Sequence, residues 1–312
     1  MQGLKIVSTG RGLPARVVTN EDMSRIVDTS DEWIASRTGI RERRFCGAET
    51  NAGLAAQAAR TALDRAGIGP ADVCAVVVAT VTPSSLAPSM GCLVQKALGL
   101  PEHAACFDLN VGCTGFVYGL QVVRGLLMQS PRPYALLIGS EALSRVTDFD
   151  DRSTCVLFGD GAGAVVLALD EARPYYSALG ARGDEEALFI EGPGGCRPYI
   201  RMDGQAVFRF AVEAVPRCVR QVLDQAGLTA ADVDWFVPHQ ANRRIIQSAA
   251  KRLGVPEEKF YQNMERYGNT SAASIPIALD EMAEQGLLRP GQRLVLVGFG
   301  AGLTWGAALI EW

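Results

Sequence analysis

The sequence predicts an α/β protein made of two similar halves, and three observations support this fold class. Three segments of the first half return in the same order at offsets of 160, 155 and 159 residues: 62–73 as 222–233, 98–101 as 253–256, and 133–139 as 292–298. Short continuous apolar strands also alternate with helical segments, which is typical of parallel sheets covered on both faces. The apolar content of 48% over 312 residues is enough for a large core. We therefore expect two copies of one unit, with helices between and outside two sheets in α-β-α-β-α layers.

The first copy contains six elements in the order helix, strand, helix, strand, helix, strand. The predicted segments are 51–67, 73–80, 88–99, 104–110, 114–129 and 134–141. The first has the alanine-rich spacing of a helix that ends at Gly67, whereas "VCAVVVAT" is a short continuous apolar strand. "GDGAGA" at 159–164 lacks the last spaced glycine of a dinucleotide-binding loop and the lysine of a P-loop. We interpret it as a tight turn before the strand "AVVLAL".

The two halves are predicted to join after residue 170. Residues 171–204 carry glycine, proline and charge without a strong period, which indicates a linker and an insertion. We therefore divide the chain into an N-terminal half at 1–170 and a C-terminal half at 171–312, which begins with that linker.

The composition excludes several classes of protein. The net charge is −4 with 21% charged residues and no block of like charge, which argues against disorder and against general nucleic-acid binding. The longest apolar run is about 7 residues, far below the roughly 20 that span a bilayer, and the N-terminus has no apolar signal-peptide region. The eight cysteines include no C-x-x-C pair and there are only two histidines, so the spacings of a zinc site are absent. We expect a cytoplasmic protein with reduced thiols, no membrane segment and no metal.

Chemically active side chains follow the predicted strands at similar places in the two copies. Cys113 follows "FDLNVG", His239 follows "WFVP", and Asn269 lies 156 residues after Cys113, which we interpret as the counterpart position. Because ligands of α/β sheets gather at the carboxyl ends of strands, we expect the three to meet. Singly, they can be a buried small residue, a hydrogen-bonded core histidine and a turn residue. Together with the glycine-rich "GFGAG" at 298–302, they favour a site in which Cys113 is a thiolate at a helix N-terminus.

Four motifs carry a resemblance to a known family. "NVGCTGF", "VPHQAN", "YGNTSAAS" and "GFGAGLTWG" resemble the Cys, His, Asn and glycine-loop motifs of the β-ketoacyl-acyl carrier protein synthase III family, whose members have the thiolase fold. Segments 29–44 and 151–167 resemble its other signatures, and the match runs from Gly3 to Trp312. The resemblance implies a homodimeric enzyme that initiates fatty-acid synthesis by a decarboxylating condensation of an acyl-CoA with malonyl-acyl carrier protein. No cofactor is expected beyond the CoA and phosphopantetheine that the substrates carry.

The resemblance also implies a role for each residue of the site. Cys113 attacks the acyl-CoA thioester, and the backbone N–H groups of Cys113 and Ala301 stabilise the oxyanion. His239, through Nε2–H, and the Asn269 amide donate to the enolate oxygen that forms when malonyl loses CO2. A biosynthetic thiolase is disfavoured because no cysteine follows Cys218. A polyketide-priming enzyme with the same three residues and a non-catalytic binding protein of the same fold remain alternatives.

Three cationic or aromatic residues are predicted to bind CoA. Trp33 and Arg37 lie four residues apart on a short helix, and the resemblance adds Arg152 as a contact for the adenine or the phosphates. The alternative is a surface cation–π pair.

A helical segment at 242–254 has a basic face for an acidic carrier protein, formed by Arg244, Lys251 and Arg252. An ordinary solvated face is the alternative.

The acyl pocket is predicted at two positions. Phe299 lines the active site or belongs to the core, and Ala87 lies in a stretch at 84–90 that crosses the dimer interface in enzymes the chain resembles. Some of those enzymes have a bulky aromatic side chain at the position of Ala87. We therefore expect this chain to accept primers longer or more branched than acetyl.

Overall fold

The computed structural model describes residues 3–192 and 194–312, which form thirteen strands and nine α-helices. The strands are β1 (Gly3–Gly12), β2 (Arg16–Thr19), β3 (Glu42–Phe45), β4 (Val73–Ala79), β5 (Ala105–Leu109), β6 (Tyr134–Ala142), β7 (Asp160–Asp170), β8 (Tyr175–Asp184), β9 (Leu188–Phe189), β10 (Arg201–Met202), β11 (Trp235–Pro238), β12 (Arg293–Gly300) and β13 (Gly302–Glu311). The helices are α1 (Asn20–Ser24), α2 (Asp31–Thr38), α3 (Asn51–Ala66), α4 (Met90–Leu98), α5 (Gly115–Met128), α6 (Gly204–Ala226), α7 (Arg243–Leu253), α8 (Met264–Tyr267) and α9 (Ser274–Glu284). The six elements predicted for the first copy are confirmed as α3, β4, α4, β5, α5 and β6.

The helices begin and end where the sequence provides caps. Thr50 caps α3 by accepting a hydrogen bond from the backbone N–H of Gly53, and Gly67 ends it at a left-handed φ of 63°. Asn242 and Gly254 do the same for α7.

The two large sheets have matching strand orders. The first is β1-β7-β6-β4-β5, and the second is β8-β13-β12-β11, with Phe260 bridged to Phe236 at the place that β5 takes in the first. The predicted parallel sheets are confirmed in part. Strands β4, β5 and β6 are parallel, as are β11 and β12, but β7 and β13 run antiparallel to both of their neighbours. Each returns from the preceding strand of its sheet without a crossover helix, which gives an antiparallel pair.

Two sequence interpretations are corrected by these strands. Part of the segment predicted as linker and insertion, 171–204, is β8, which pairs along its length with β13 and is therefore the edge strand of the second sheet. "GDGAGA" is not a turn, since β7 starts at Asp160 and includes Gly161 and Gly163. Glycine is needed there because helix α9 lies against the strand: a Cβ on Gly163 would be 2.5 Å from the backbone nitrogen of Ile277.

The apolar clusters confirm the predicted five layers. Helices α5 and α9 lie between the sheets and share one cluster with strands of both, for example Phe116 and Leu279 with Leu137 and Leu296. Helices α3 and α4 cover the outer face of the first sheet, and α6 and α7 cover the outer face of the second. The N-termini of α5 and α9 therefore meet inside the molecule, at the carboxyl ends of the parallel strands.

Candidate active site

Two similar turns carry the central part of the site. Residues Gly112–Thr114 form a 3-10 turn before α5, and Ser271–Ala273 form the same turn before α9. Both begin at a left-handed residue, with φ of 52° at Gly112 and 48° at Ser271. Since the turns start 159 residues apart, the counterpart of Cys113 is Ala272, and the predicted equivalence with Asn269 is wrong. Asn269 lies before the turn and lines the same cavity from there.

Cys113 is buried against the glycine loop between β12 and β13. Only 9% of the residue is exposed, and a Cβ on Gly300 would lie 2.8 Å from the Cys113 Cβ and 3.1 Å from its Sγ. This burial raises the pKa of the Cys113 thiol to about 11, an effect that the side chain of Ser271 opposes and the nearby charge of Glu141 increases. The prediction of a resting thiolate is therefore wrong, because desolvation outweighs the favourable helix end. The resting group is a thiol.

His239 is held in one tautomer by a chain of hydrogen bonds. Its Nδ1 lies 2.8 Å from the Oγ of Ser274, and that hydroxyl donates to the backbone oxygen of Ser271 at 2.8 Å. Because Ser274 has one proton and has given it to a carbonyl, Nδ1 must carry the hydrogen of the imidazole. Burial lowers the pKa of His239 to about 3, so the ring is neutral. With this hydrogen-bond arrangement the resting proton is on Nδ1, and the Nε2–H donor that the resemblance implies requires the proton to move.

Asn269 is fixed by its backbone and by its side-chain oxygen. Its Oδ1 accepts a hydrogen bond from the N–H of Ser271 at 2.9 Å, and its own N–H donates to Leu157. The amide is therefore oriented by its oxygen, which leaves Nδ2 as the donor that it can offer a ligand.

One cavity of about 620 Å³ contains most of the predicted residues. Its buried end is lined by Cys113, His239, Asn269 and Phe299, and Phe299 meets the His239 ring edge to face at 5.3 Å. Its more exposed end is lined by four residues that can meet a large anionic ligand: Trp33, Arg37, Arg209 and Arg244. The predicted meeting of nucleophile, histidine and asparagine at strand ends is the geometry found.

The Trp33 ring is covered by arginines in the structure. The guanidinium of Arg37 lies 4.8 Å from the ring centre and that of Arg152 lies 5.0 Å from it, so both geometries are cation–π contacts. Arg152 also donates to the backbone oxygen of Asp28 at 2.8 Å. An adenine that stacks on Trp33 has to displace at least one of these guanidinium groups.

The remaining predicted residues lie at different distances from this cavity. The backbone nitrogen of Ala301 lies 3.4 Å from where a Gly112 Cβ would be, which puts it beside the turn of Cys113. Lys251 and Arg252 are exposed on α7 and do not line the cavity, unlike Arg244 on the same helix. Ala87 is exposed beside Leu86, which is itself 76% exposed and lines a second cavity of about 1390 Å³.

The sequence reasoning missed four residues that the structure brings to the site. Ser271 and Ser274 are visible in "NTSAAS", where two hydroxyls directly follow the asparagine, but Glu141 and Arg209 carried no signal that distinguishes them from other charged residues. Among residues 3–192 and 194–312, no three His, Cys, Asp or Glu side chains form a group that could hold a metal. Over the same residues, no helix has the length and apolar character to cross a membrane.

Comparison with known proteins gives consistent matches along the chain. The model of the family described as 3-oxoacyl-[acyl-carrier-protein (ACP)] synthase III matches residues 107–183, and the model of its C-terminal part matches residues 223–312. The chain is 47% identical to the β-ketoacyl-[acyl-carrier-protein] synthase III of Clostridium beijerinckii and 45% identical to that of Clostridium acetobutylicum, over 100% of this chain and 100% and 99% of theirs. The crystal structure of the enzyme from Aquifex aeolicus superposes with a TM-score of 0.95 at 43% identity, covering 99% of this chain and 100% of that one. The priming β-ketosynthase of the R1128 polyketide pathway superposes with a TM-score of 0.92 at 36% identity, covering 99% of this chain and 96% of that one.

Proposed function

The chain belongs to the 3-oxoacyl-[acyl-carrier-protein] synthase III family of condensing enzymes, and we propose a role for each group of its site on that premise. It is an acyltransferase that carries out the initiating condensation of fatty-acid synthesis. The reaction joins an acyl-CoA primer to malonyl-acyl carrier protein with loss of CO2. The single observation that supports the proposed roles is the meeting of Cys113, His239 and Asn269 at the buried end of one cavity.

In the first half-reaction, the Cys113 sulfur attacks the primer thioester and CoA leaves. The oxyanion of the tetrahedral intermediate is stabilised by the backbone N–H groups of Cys113 and Ala301. These two residues lie in turns that approach each other closely at Gly112 and Gly300, where the lack of a Cβ leaves the space for that approach. Both glycines are needed for this approach, because a side chain at Gly300 would occupy the space of the Cys113 side chain.

In the second half-reaction, the enolate oxygen left by decarboxylation needs hydrogen-bond donors. The Nδ2 of Asn269 is one, since its Oδ1 is held by Ser271. His239 becomes the second when its proton moves from Nδ1 to Nε2 through solvent and the Ser274 hydroxyl turns from the Ser271 carbonyl to donate to Nδ1. Neither donor is charged, so the site favours the enolate without requiring an imidazolium.

The exposed end of the cavity would bind the nucleotide part of CoA. Trp33 offers a stacking face, and Arg37, Arg152 and Arg244 offer cations for the phosphates. No further cofactor or metal enters the proposed reaction. For the acidic carrier protein we propose docking on α7 through Arg244, Lys251 and Arg252, which are all exposed and of which Arg244 lines the cavity.

We further propose a cytoplasmic homodimer in which the stretch at 84–90 meets the partner subunit. Leu86 is 76% exposed in the single chain, so it is accessible to a partner subunit at this stretch. In that arrangement Ala87 leaves more room at the partner's acyl pocket than an aromatic side chain would.

The experiment combines intact mass spectrometry with a panel of primers. Incubation with acetyl-, butyryl- or isobutyryl-CoA should give an acylated protein, and malonyl-acyl carrier protein should then release a 3-ketoacyl product. Cys113→Ala should lose acylation, whereas His239→Ala and Asn269→Ala should still become acylated and fail to decarboxylate malonyl-acyl carrier protein. Cys218→Ala, which removes a buried thiol of α6, is the matched control.

Loss of acylation with retained decarboxylation in His239→Ala would overturn the assigned roles. A second candidate function, priming of a polyketide, is favoured by the likeness to the R1128 enzyme. It predicts faster transfer to malonyl on a polyketide carrier protein than on the fatty-acid carrier protein.

A further inference from the structure

A fully buried carboxylate beside the nucleophile has no role in the steps above. Glu141 lies near the end of β6, is 0% exposed and belongs to none of the ion pairs between the described residues. A buried carboxylate without a cation is costly and is seldom kept for stability alone. Its location therefore needs another explanation.

Neutral donors surround the Glu141 carboxylate. Its Oε2 accepts from the hydroxyl of Thr82 at 2.5 Å and of Thr80 at 3.2 Å, and the backbone N–H of Val81 lies 3.2 Å from both carboxylate oxygens. These donors hold the carboxylate in place and partly stabilise its charge, while burial raises the pKa of Glu141 to about 7. At neutral pH the group is thus poised to take up or release a proton.

Ser271 connects Glu141 with Cys113. Its hydroxyl favours the ionised form of both groups and so lowers the pKa of each. The residue is only 3% exposed, and within the described part of the chain its Oγ has no hydrogen-bond partner at standard geometry. The turn of Ser271 packs against both neighbours: a Cβ on Gly139 of β6 would lie 2.2 Å from the backbone oxygen of Ala272, and one on Gly115 at the start of α5 would lie 3.5 Å from the Ala272 Cβ. A buried hydroxyl placed between two titratable groups and fixed by neither is free to accept from one and donate to the other.

We propose that Ser271 passes the proton of Cys113 to Glu141, which keeps it for the lifetime of the acyl-enzyme. This deepens the proposed function and rests on it. As the Cys113 sulfur bonds to the primer carbonyl, its proton moves to Ser271 Oγ and the Ser271 proton moves to the Glu141 carboxylate. The bond from the carbonyl to the CoA sulfur breaks, and CoA leaves as a thiolate that takes a proton from solvent.

The proton returns in the second half-reaction. The enolate carbon attacks the acyl group, the bond to the Cys113 sulfur breaks, and the thiolate regains its proton from Glu141 through Ser271. The cycle consumes one proton from solvent, the one that CoA takes. Ser271 is therefore a catalytic residue, because it exchanges a proton directly with the Cys113 sulfur. Glu141 holds that proton and acts through Ser271, so it is a positioning residue.

The groups that face Glu141 leave one competing acceptor. Cys113 faces it from the turn before α5, and His239, directly after β11, lies on the far side of Ser271, whose backbone it contacts. Asp160, on the neighbouring strand β7, pairs opposite Ala142 and so points to the other face of the sheet. The neutral His239, with its free Nε2, is the alternative acceptor, and it has a pKa of about 3 rather than one near the working pH.

The test measures the first-order rate of acylation against pH by stopped flow, with the primer that gives the largest burst among acetyl-, butyryl- and isobutyryl-CoA. In the wild type the rate should rise tenfold per pH unit below about pH 7 and level off above it, as Glu141 ionises. In Glu141→Gln and in Ser271→Gly this rise should disappear, and the rate at pH 8 should fall by about 10²-fold. Glycine at 271 removes the hydroxyl without strain, because the paired turn has Gly112 at nearly the same φ.

Two controls separate the relay from simpler effects. If Glu141 acted only through its charge, Glu141→Gln would lower the pKa of Cys113 and speed both acylation and alkylation by iodoacetamide. Glu281→Gln removes another buried carboxylate, bonded to Tyr261 and Tyr267, and should lower the melting temperature without changing the pH profile.

Three results would overturn the relay: a wild-type rate that keeps rising toward pH 11, a rise below pH 7 that persists in both variants, or its loss in His239→Ala alone. A protein that no primer acylates at any pH would instead refute the proposed function.

Discussion

Removing the Ser274 hydroxyl should separate the two half-reactions. In Ser274→Ala, the His239 Nδ1–H loses its acceptor at 2.8 Å, the N–H of Gln240 loses one at 3.4 Å, and the Ser271 carbonyl loses a donor. A buried donor left without a partner costs about 1–3 kcal/mol, and a net hydrogen bond is worth about 0.5–1.5 kcal/mol. The variant should therefore be destabilised by roughly 2–4 kcal/mol, less than the stability of an ordinary domain, which is about 5–15 kcal/mol.

The catalytic effect should fall on decarboxylation. Without Ser274, the His239 ring has no fixed tautomer or orientation, and a loss of about 1–3 kcal/mol of enolate stabilisation slows the step by roughly 5- to 150-fold. Acylation of Cys113 needs no donor from His239 and should change by less than about threefold. The burst of CoA release reports the first step, and the release of CO2 from malonyl-acyl carrier protein reports the second.

A hydroxyl distant from the site gives the matched control. Ser8→Ala, on β1, removes a hydroxyl that donates to the backbone oxygen of Ala62 at 2.6 Å, and should lower stability with both half-reactions unchanged. The reasoning is refuted if Ser274→Ala slows acylation and decarboxylation by the same factor, or if it leaves decarboxylation at the wild-type rate.

Three further predictions concern docking, primer size and pH. The double variant Lys251→Glu with Arg252→Glu should raise KM for malonyl-acyl carrier protein and leave KM for acyl-CoA unchanged. Arg244→Glu should raise both KM values, because only Arg244 of the three lines the cavity. Steady-state kinetics at two salt concentrations test this, and an equal loss toward both substrates in the double variant contradicts it. Ala87→Phe should reduce kcat/KM for butyryl- and isobutyryl-CoA by roughly 10–200-fold per excluded methylene and spare acetyl-CoA; an unchanged chain-length profile, or a strictly acetyl-specific wild type, argues against this role for Ala87. Burial lowers the pKa of His239 from 6.5 in the unfolded chain to about 3 in the folded chain, so the stability that the neutral His239 contributes is present above pH 6.5 and is lost as the pH falls toward 3, at up to about 1.4 kcal/mol per pH unit. In urea unfolding between pH 5 and 8, the stability of His239→Gln should therefore depend less on pH than that of the wild type. Parallel curves for the two proteins would contradict this prediction.

Local sequence determined the elements and the main side chains of the site. The apolar runs and caps are signals within one segment, so α3, β4 and α5 could be predicted without knowing what they pack against. The internal repeat added which elements correspond, and strand ends then singled out Cys113, His239 and Asn269, because side chains at that edge of related sheets converge. The family resemblance gave these residues their roles.

Only the tertiary structure decided pairing, protonation and proton routes. The direction of β7 and the place of β8 depend on hydrogen bonds to strands far along the chain, which a glycine-rich or charged segment does not reveal by itself. The Cys113 thiol is neutral because Gly300, from the other half, closes over it, and the tautomer of His239 depends on Ser274. Glu141 is one of 34 acidic residues in the sequence. It differs from the others once folding buries it next to Ser271, because desolvation and neighbouring dipoles are properties of the packed interior rather than of the residue type.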